Sequence, residues 1–254
     1  MSITFISSRG LYNNYQQLSS GKKVNSAADN AAALAIIEKL QKQSNGYDVG
    51  KRNAADSNNM LNVADGALGS ITDSLQRMRE LSVQASNTAI YGDSDLGAIQ
   101  KEIDQLKYHI SDVAKNTQFN GKNLLDGSRG SSHVAVNPDG SGLSLNLSSA
   151  TLEALGIADY DVTKGFDISV LDDAIGKVSS ARSELGASSN RLFNAMSYNS
   201  YASYNTTAAQ SRLEDLDYAE AISDMKKNSL MEEYKLMMQR NQMHEQKKII
   251  RMFE

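Results

Sequence analysis

Asn137-Pro138-Asp139-Gly140 holds the one proline of a 254-residue chain, and it lies between two long stretches in which apolar residues recur at helical spacing. Proline removes a helix hydrogen bond and clashes with the preceding turn, so excluding it from both flanks leaves them free for long helices. Pro-Asp-Gly is itself turn chemistry. On its two sides His133-Val134-Ala135-Val136 and Leu143-Ser144-Leu145-Asn146-Leu147 alternate, or nearly alternate, apolar and polar residues. The centre therefore reads as a β-hairpin near 131–148.

Working outward, Leu61, Ala64, Leu68, Ile71, Leu75 and Met78 follow steps of three and four, and Leu96, Ile99, Ile103, Leu106, Ile110 and Val113 repeat the pattern after a break at Tyr91-Gly92-Asp93-Ser94. Beyond the hairpin, Leu171, Ala174, Val178, Ala181, Leu185, Ser188, Leu192 and Ala195 resume it, with Ala202, Ala209, Leu213 and Leu216 in register. Nearer the start, Leu11, Tyr15 and Leu18 share a face, and Ala33, Ile36 and Leu40 continue one. Stripes this narrow must be sealed against neighbouring helices. The expected fold is mainly α: an elongated antiparallel helical bundle or coiled coil of N- and C-terminal arms with a small central β-hairpin. Residues 151–166 read as loop with a short helical turn at Thr151–Leu155, and Asn120-Gly121 reads as a turn.

Composition narrows the function. Aromatic residues make up 6% of the chain and tryptophan is absent, which suits long helices with a thin core. A net charge of −4 offers no general attraction to nucleic acid. The tail from Lys226 to Glu254 reverses that sign, with seven basic against four acidic residues, and reads as a solvated helix face. With no cysteine there is no disulfide, thiolate nucleophile or Cys-ligated metal. The longest wholly apolar run, Ala31 to Ile37, is far below the about 20 residues of a membrane span, and no cleavable signal peptide is visible.

Catalytic and metal motifs are missing in turn. His109, His133 and His244 lack metal-spaced partners. Asp159-Tyr160-Asp161 opens a segment like a calcium loop, but its glycine comes one position late and Val170 stands where a bidentate Glu belongs. There is no phosphate-cradling glycine loop and no nucleophile elbow. The chain reads as a protein that is not an enzyme and takes no cofactor or metal.

Five ordered segments resemble one family. Gln17-Leu-Ser-Ser-Gly-Lys-Lys-Val-Asn-Ser-Ala-Ala-Asp29 with Ala31 to Ile37, Gln76-Arg-Met-Arg-Glu-Leu-Ser-Val-Gln-Ala85, and Thr117-Gln-Phe-Asn-Gly-Lys-Asn-Leu-Leu125 are similar to the N-terminal signatures of bacterial flagellins. Leu171-Asp-Asp-Ala-Ile175 with Leu185-Gly-Ala187 and Asn190-Arg-Leu192, then Ser211-Arg-Leu-Glu-Asp-Leu-Asp-Tyr-Ala219, resemble the C-terminal ones.

The resemblance implies a structural subunit that assembles head-to-tail into the helical flagellar filament for motility, extracellular and exported without a cleavable signal peptide. It implies a core-only member, because the hairpin passes within a few dozen residues to the second arm where relatives insert outer domains. The expected organisation is 1–45 and 213–254 as filament-core helix regions around a rod domain at 46–212. Leu11, Tyr15, Leu18, Leu230, Tyr234 and Met237 are the expected assembly residues; Arg77, Leu81 and Glu102 are the positions flagellins present to Toll-like receptor 5 of a host, or to neighbouring subunits. The implied partners are other copies of the chain, a flagellar export chaperone, the cap protein and that receptor. The tail departs from the family in being more charged and Met-rich than its usual Gln-rich end. The alternatives are a hook-filament junction protein from the same export system and a cytoplasmic helical scaffold.

Overall fold

The computed structural model describes residues 12–87 and 89–253. Helix α1 covers 12–20, and Gly21 closes it in a left-handed conformation, φ +70°, its N–H donating to the Gln17 carbonyl at 2.8 Å. Helix α2 runs Ala27–Ala85, with extended backbone at Asn30. The Asn30 Oδ1 accepts from the Ala33 N–H at 2.9 Å, so the unbroken helix begins just after it with its own side-chain cap. Helix α3 is Asp93–Asn116; the Asp95 carboxylate in its first turn accepts from the Gly92 N–H at 3.1 Å. Strands β1 (Gln118–Phe119) and β2 (Lys122–Asn123) form one antiparallel pair, and β3 (Ser131–Ala135) and β4 (Gly142–Asn146) another. Then follow α4 (Leu152–Leu155), α5 (Ser169–Glu214) and α6 (Tyr218–Phe253).

The chain divides into two compact units, one built from the described residues up to Ser44 with those from Ser203 onward, the other from Asn45–Ala202. In the second unit the expected stripe is the core. Leu61, Ala64, Leu68, Ile71, Leu75 and Met78 are each at most 2% exposed. They meet Ile99, Ile103 and Ile110 of α3 and Leu171, Ala174, Val178, Leu185 and Leu192 of α5 in one cluster. Cross-helix bonds give α2 and α5 an antiparallel register: Ser189 to Asn58 at 2.6 Å, Arg182 to Asp65 at 2.8 Å and Arg79 to Asp172 at 2.6 Å. Exposed ion pairs of this kind add little stability. Their contribution is to alignment.

The connection after β4 is more than a loop. Leu147, Ala150, Leu155, Ile157, Tyr160 and Val162 are all buried in the same cluster. Tyr160 donates to the Ser82 Oγ at 2.8 Å, and that hydroxyl donates to the Met78 carbonyl at 2.7 Å, so the phenol's polar end is satisfied inside the core. A second hairpin also goes beyond the sequence expectation. Asn120 and Gly121 take φ +50° and +71°, the two positive values of a type I′ turn, and close the β1–β2 pair.

Close approach seats the β3–β4 hairpin. A Cβ on Gly50 would stand 2.0 Å from the Val136 carbonyl oxygen, and one on Gly46 would stand 2.5 Å from the Cβ of Pro138. One turn further along α2, the Asn53 amide donates to the Ala135 carbonyl at 2.9 Å, and the buried Asn199 of α5 donates to the Val136 carbonyl at 2.8 Å. Gly46, Gly50 and Asn53 thus form one helix face that carries the strand end leading into Pro138.

In the first unit the seam is largely polar. Val24 and Ile37 are buried at 7% and 5%, but so are Ser44, Ser203 and Glu214 at 5%, 9% and 8%. Ser44 Oγ bonds Ser203 Oγ at 3.2 Å and Thr207 Oγ1 at 2.9 Å, and Gln210 donates to Gln41 at 2.6 Å. Two expectations are corrected here. Ile36 is 49% exposed and Ile37 takes its place; Leu213 is 38% exposed and Glu214 is the residue turned inward. A strict three-and-four repeat drifts against the 3.6-residue turn of a straight helix. Ser44, Ser203 and Glu214 pair well enough across the helices to be buried where the drift brings them.

The seat of the hairpin generates a test. Gly50→Ala is expected to cost about 1–3 kcal/mol by overpacking, lowering Tm by several degrees in circular-dichroism melts. Gly66→Ala, where an added Cβ meets open space, is expected to be neutral or mildly stabilising. Equal melting temperatures for the two variants would contradict the close-packing account.

Candidate assembly and recognition surfaces

Two surfaces are candidates, one in each unit. In the Asn45–Ala202 unit, Arg77 on α2 reaches across to α3: its Nε donates to Glu102 Oε1 at 2.9 Å, and its terminal nitrogens lie 2.8 Å from the same oxygen and 3.1 Å from Glu80 Oε2. Hydrogen bonding to Glu102 first, then to Glu80, raises the guanidinium's already high pKa. All three side chains are about half exposed or more. The outcome is an outward-facing cluster of one cation and two carboxylates. Glu80 was not among the sequence candidates, although its position three residues after Arg77 on a helix is the usual spacing for such a pair.

Leu81 does not share that surface. It is 2% exposed and continues the inward row through Ile71, Leu75 and Met78 to Ala85. Grouping it with Arg77 and Glu102 as a contact residue is therefore corrected: its side chain is spent on the core, and it can act on the cluster only by holding α2 in place.

In the other unit, the helices nearest the chain ends are clipped together. Lys23 N–H donates to the Glu214 carbonyl at 2.6 Å, and Leu216 N–H donates to the Gly21 carbonyl at 3.0 Å. The Lys22 ammonium pairs with the Glu214 carboxylate, which Gln210 also meets at 2.7 Å. Asp217 then caps α6, accepting from the Ala219 N–H at 2.9 Å and the Glu220 N–H at 3.2 Å.

Along α6 the apolar side chains stay open: Leu230 is 66% exposed, Tyr234 55% and Met237 55%. Tyr15 of α1 is exposed too and Leu18 is half-buried, whereas Leu11 lies outside the described residues. A further set of open aromatic side chains lies on α5: Phe193, Tyr198 and Tyr201 in the Asn45–Ala202 unit and Tyr204 in the other are each 60% or more exposed. The sequence reading missed it, although three tyrosines at steps of three are plain in the chain, because it followed the seam positions alone. Among the described residues no helix is long and apolar enough to cross a membrane, and no group of His, Asp and Glu is placed to hold a metal ion.

These helices and their order match known proteins. Residues 2–129 match the bacterial flagellin N-terminal helical region and residues 168–252 the bacterial flagellin C-terminal helical region. The chain belongs to the flagellin family. It is 36% identical over 256 residues to the flagellin of Bacillus subtilis (strain 168), covering 86% of this chain and 84% of that one. With the flagellar filament 31.3 kDa core protein of Treponema maltophilum it shares 34% identity over 238 residues, 85% of this chain and 82% of the relative. The crystal structure of Bacillus cereus flagellin agrees with it at a TM-score of 0.52 and 29% identity, over 58% of this chain and 88% of that one. The stretch between the two matched regions, 130–167, contains the β3–β4 hairpin, α4 and the buried connection, so the short middle of this flagellin is itself part of the core.

The Lys22–Glu214 pair predicts a pH dependence. Hydrogen bonding from Lys22, then from Gln210, together with the lysine's charge, holds the Glu214 carboxyl below its ordinary value of 4.5. A lowered folded pKa means the stabilisation is complete above that ordinary value and drains away as the pH falls through the folded one. The gap in Tm between the wild type and Glu214→Gln is expected to be constant above pH 4.5 and to shrink on further acidification. A gap that widens in acid would refute the pairing.

Proposed function

We propose that this chain is the structural subunit of a flagellar filament, adding to the growing end by head-to-tail contact between copies. The observation that carries the reading is the exposed apolar side of α6, at Leu230, Tyr234 and Met237, in a family whose members include flagellar filament core proteins. Soluble proteins rarely leave such a row uncovered unless a partner takes it. A contact between unlike surfaces that repeats without closing yields a helical filament. Export from the cell, a chaperone for the tail and a cap protein at the growing end belong to the same reading.

Purified protein seeded with filament fragments is expected to give long filaments in negative-stain microscopy. A variant ending at Asp217 is expected to stay folded and monomeric. Short capped ends would favour a hook-filament junction protein; a lack of assembly under all seeding conditions would favour a scaffold. Filaments from the shortened variant would remove α6 from the mechanism.

The outward cluster of Arg77, Glu80 and Glu102 supports a second reading, as a contact for Toll-like receptor 5. Its exposed donors and acceptors suit recognition by a complementary charged surface. Arg77→Ala is expected to reduce receptor signalling while leaving Tm within a degree or two, because the ion pairs are exposed. Unchanged signalling by a folded Arg77→Ala protein would eliminate this role.

A further inference from the structure

Six of the ten methionines of the chain lie in α6, at 225, 231, 237, 238, 243 and 252. Five of them are open: Met231, Met237, Met238, Met243 and Met252 are 50%, 55%, 43%, 56% and 83% exposed. In the Asn45–Ala202 unit, Met60 and Met78 are 9% and 0% exposed. The sealed seam there draws mainly on Leu, Ile, Val and Ala. Leucine would fill an apolar seam about as well as methionine, so packing alone gives no reason for this concentration of sulfur. Besides its flexibility, what distinguishes the thioether is its redox chemistry.

We infer that the exposed methionines of α6 form an oxidation site: hydrogen peroxide converts them to sulfoxides in the free subunit, and the oxidised subunit is excluded from assembly. In the reaction, a sulfur lone pair takes one oxygen of the peroxide. The S–O bond forms as the O–O bond breaks, and water leaves. Each sulfur is oxidised by two electrons and the peroxide is reduced by the same two. The product is a polar hydrogen-bond acceptor in place of an apolar side chain. Met231, Met237 and Met238 lie within one turn of Tyr234, so their sulfoxides fall in the middle of the apolar row. Covering that row then leaves several polar oxygens without partners.

The consequence for assembly rests on the filament reading, because it requires the row to be covered between copies. The selectivity rests only on exposure: accessible sulfurs react first, and those covered in a formed filament are shielded.

Monomer is treated with hydrogen peroxide, mapped by peptide mass spectrometry and then seeded, beside the variant M231L/M237L/M238L/M243L/M252L. Sulfoxide is expected at the five α6 positions before Met60 or Met78, with much slower oxidation of preformed filaments. The critical concentration of the wild type is expected to rise about tenfold or more. Methionine sulfoxide reductases are expected to reverse that rise, and the leucine variant to assemble equally well with and without peroxide. Oxidised wild type that polymerises at an unchanged critical concentration, or that reduction does not rescue, would overturn the proposal. So would oxidation of Met60 and Met78 as fast as the five. If the leucine variant does not assemble even untreated, the reductase arm on wild type decides. Untreated wild type that forms no filament refutes the filament reading, and the exclusion from assembly with it; the peptide map still judges the site.

Discussion

A helix with a narrow apolar stripe cannot bury that stripe by itself, and this constraint organises the chain. In the Asn45–Ala202 unit the requirement is met internally. The rows of α2, α3 and α5 face one another, and Leu68, Ile71, Leu75, Ile103 and Leu171 lose nearly all contact with water. Each buried side chain of that size contributes about 1.5–3 kcal/mol relative to exposure, so the sealed rows dominate the fold. Along α6 the same kind of row remains open at Leu230, Tyr234 and Met237. One physical rule thus yields a finished core in one unit and an unfinished surface in the other.

The sealed rows were legible in the sequence because both sides of the seam repeat with the same step, so counting threes and fours on either arm finds them. All six α2 positions from Leu61 to Met78 are buried. The hairpin around Pro138 was legible too, since turn chemistry and alternation coincide there. The Asn120-Gly121 turn was visible, but its ladder of two residues per strand is too short to show alternation. The buried connection with Ile157, Tyr160 and Val162 has no regular period, and irregular apolar residues between turns read as loop.

The surfaces were less legible than the core. Arg77 and Glu102 meet as a pair across two helices, 25 positions apart in the chain; family resemblance could nominate them, whereas periodicity could not. Leu81 shows the limit of nomination by resemblance, because a position can matter to a surface while its side chain lies beneath it. The shift from Leu213 to Glu214 shows the limit of counting. A carboxylate with Lys22 and Gln210 for partners is accepted inward where pattern alone assigns leucine. Gly46 and Gly50 belong to the same class, since their importance comes from the strand end pressed against them.

The Ser44, Ser203 and Thr207 hydroxyls, with the Gln41–Gln210 amide pair, give the terminal unit a hydrogen-bonded seam in place of an oily one. Every such bond can be exchanged for water at small net cost, whereas separating a leucine seam exposes hydrocarbon. Heat-capacity change follows hydrocarbon exposure, so parting these helices leaves a weak calorimetric signature for the area involved. A joint of this composition can be undone and remade without passing through a sticky state.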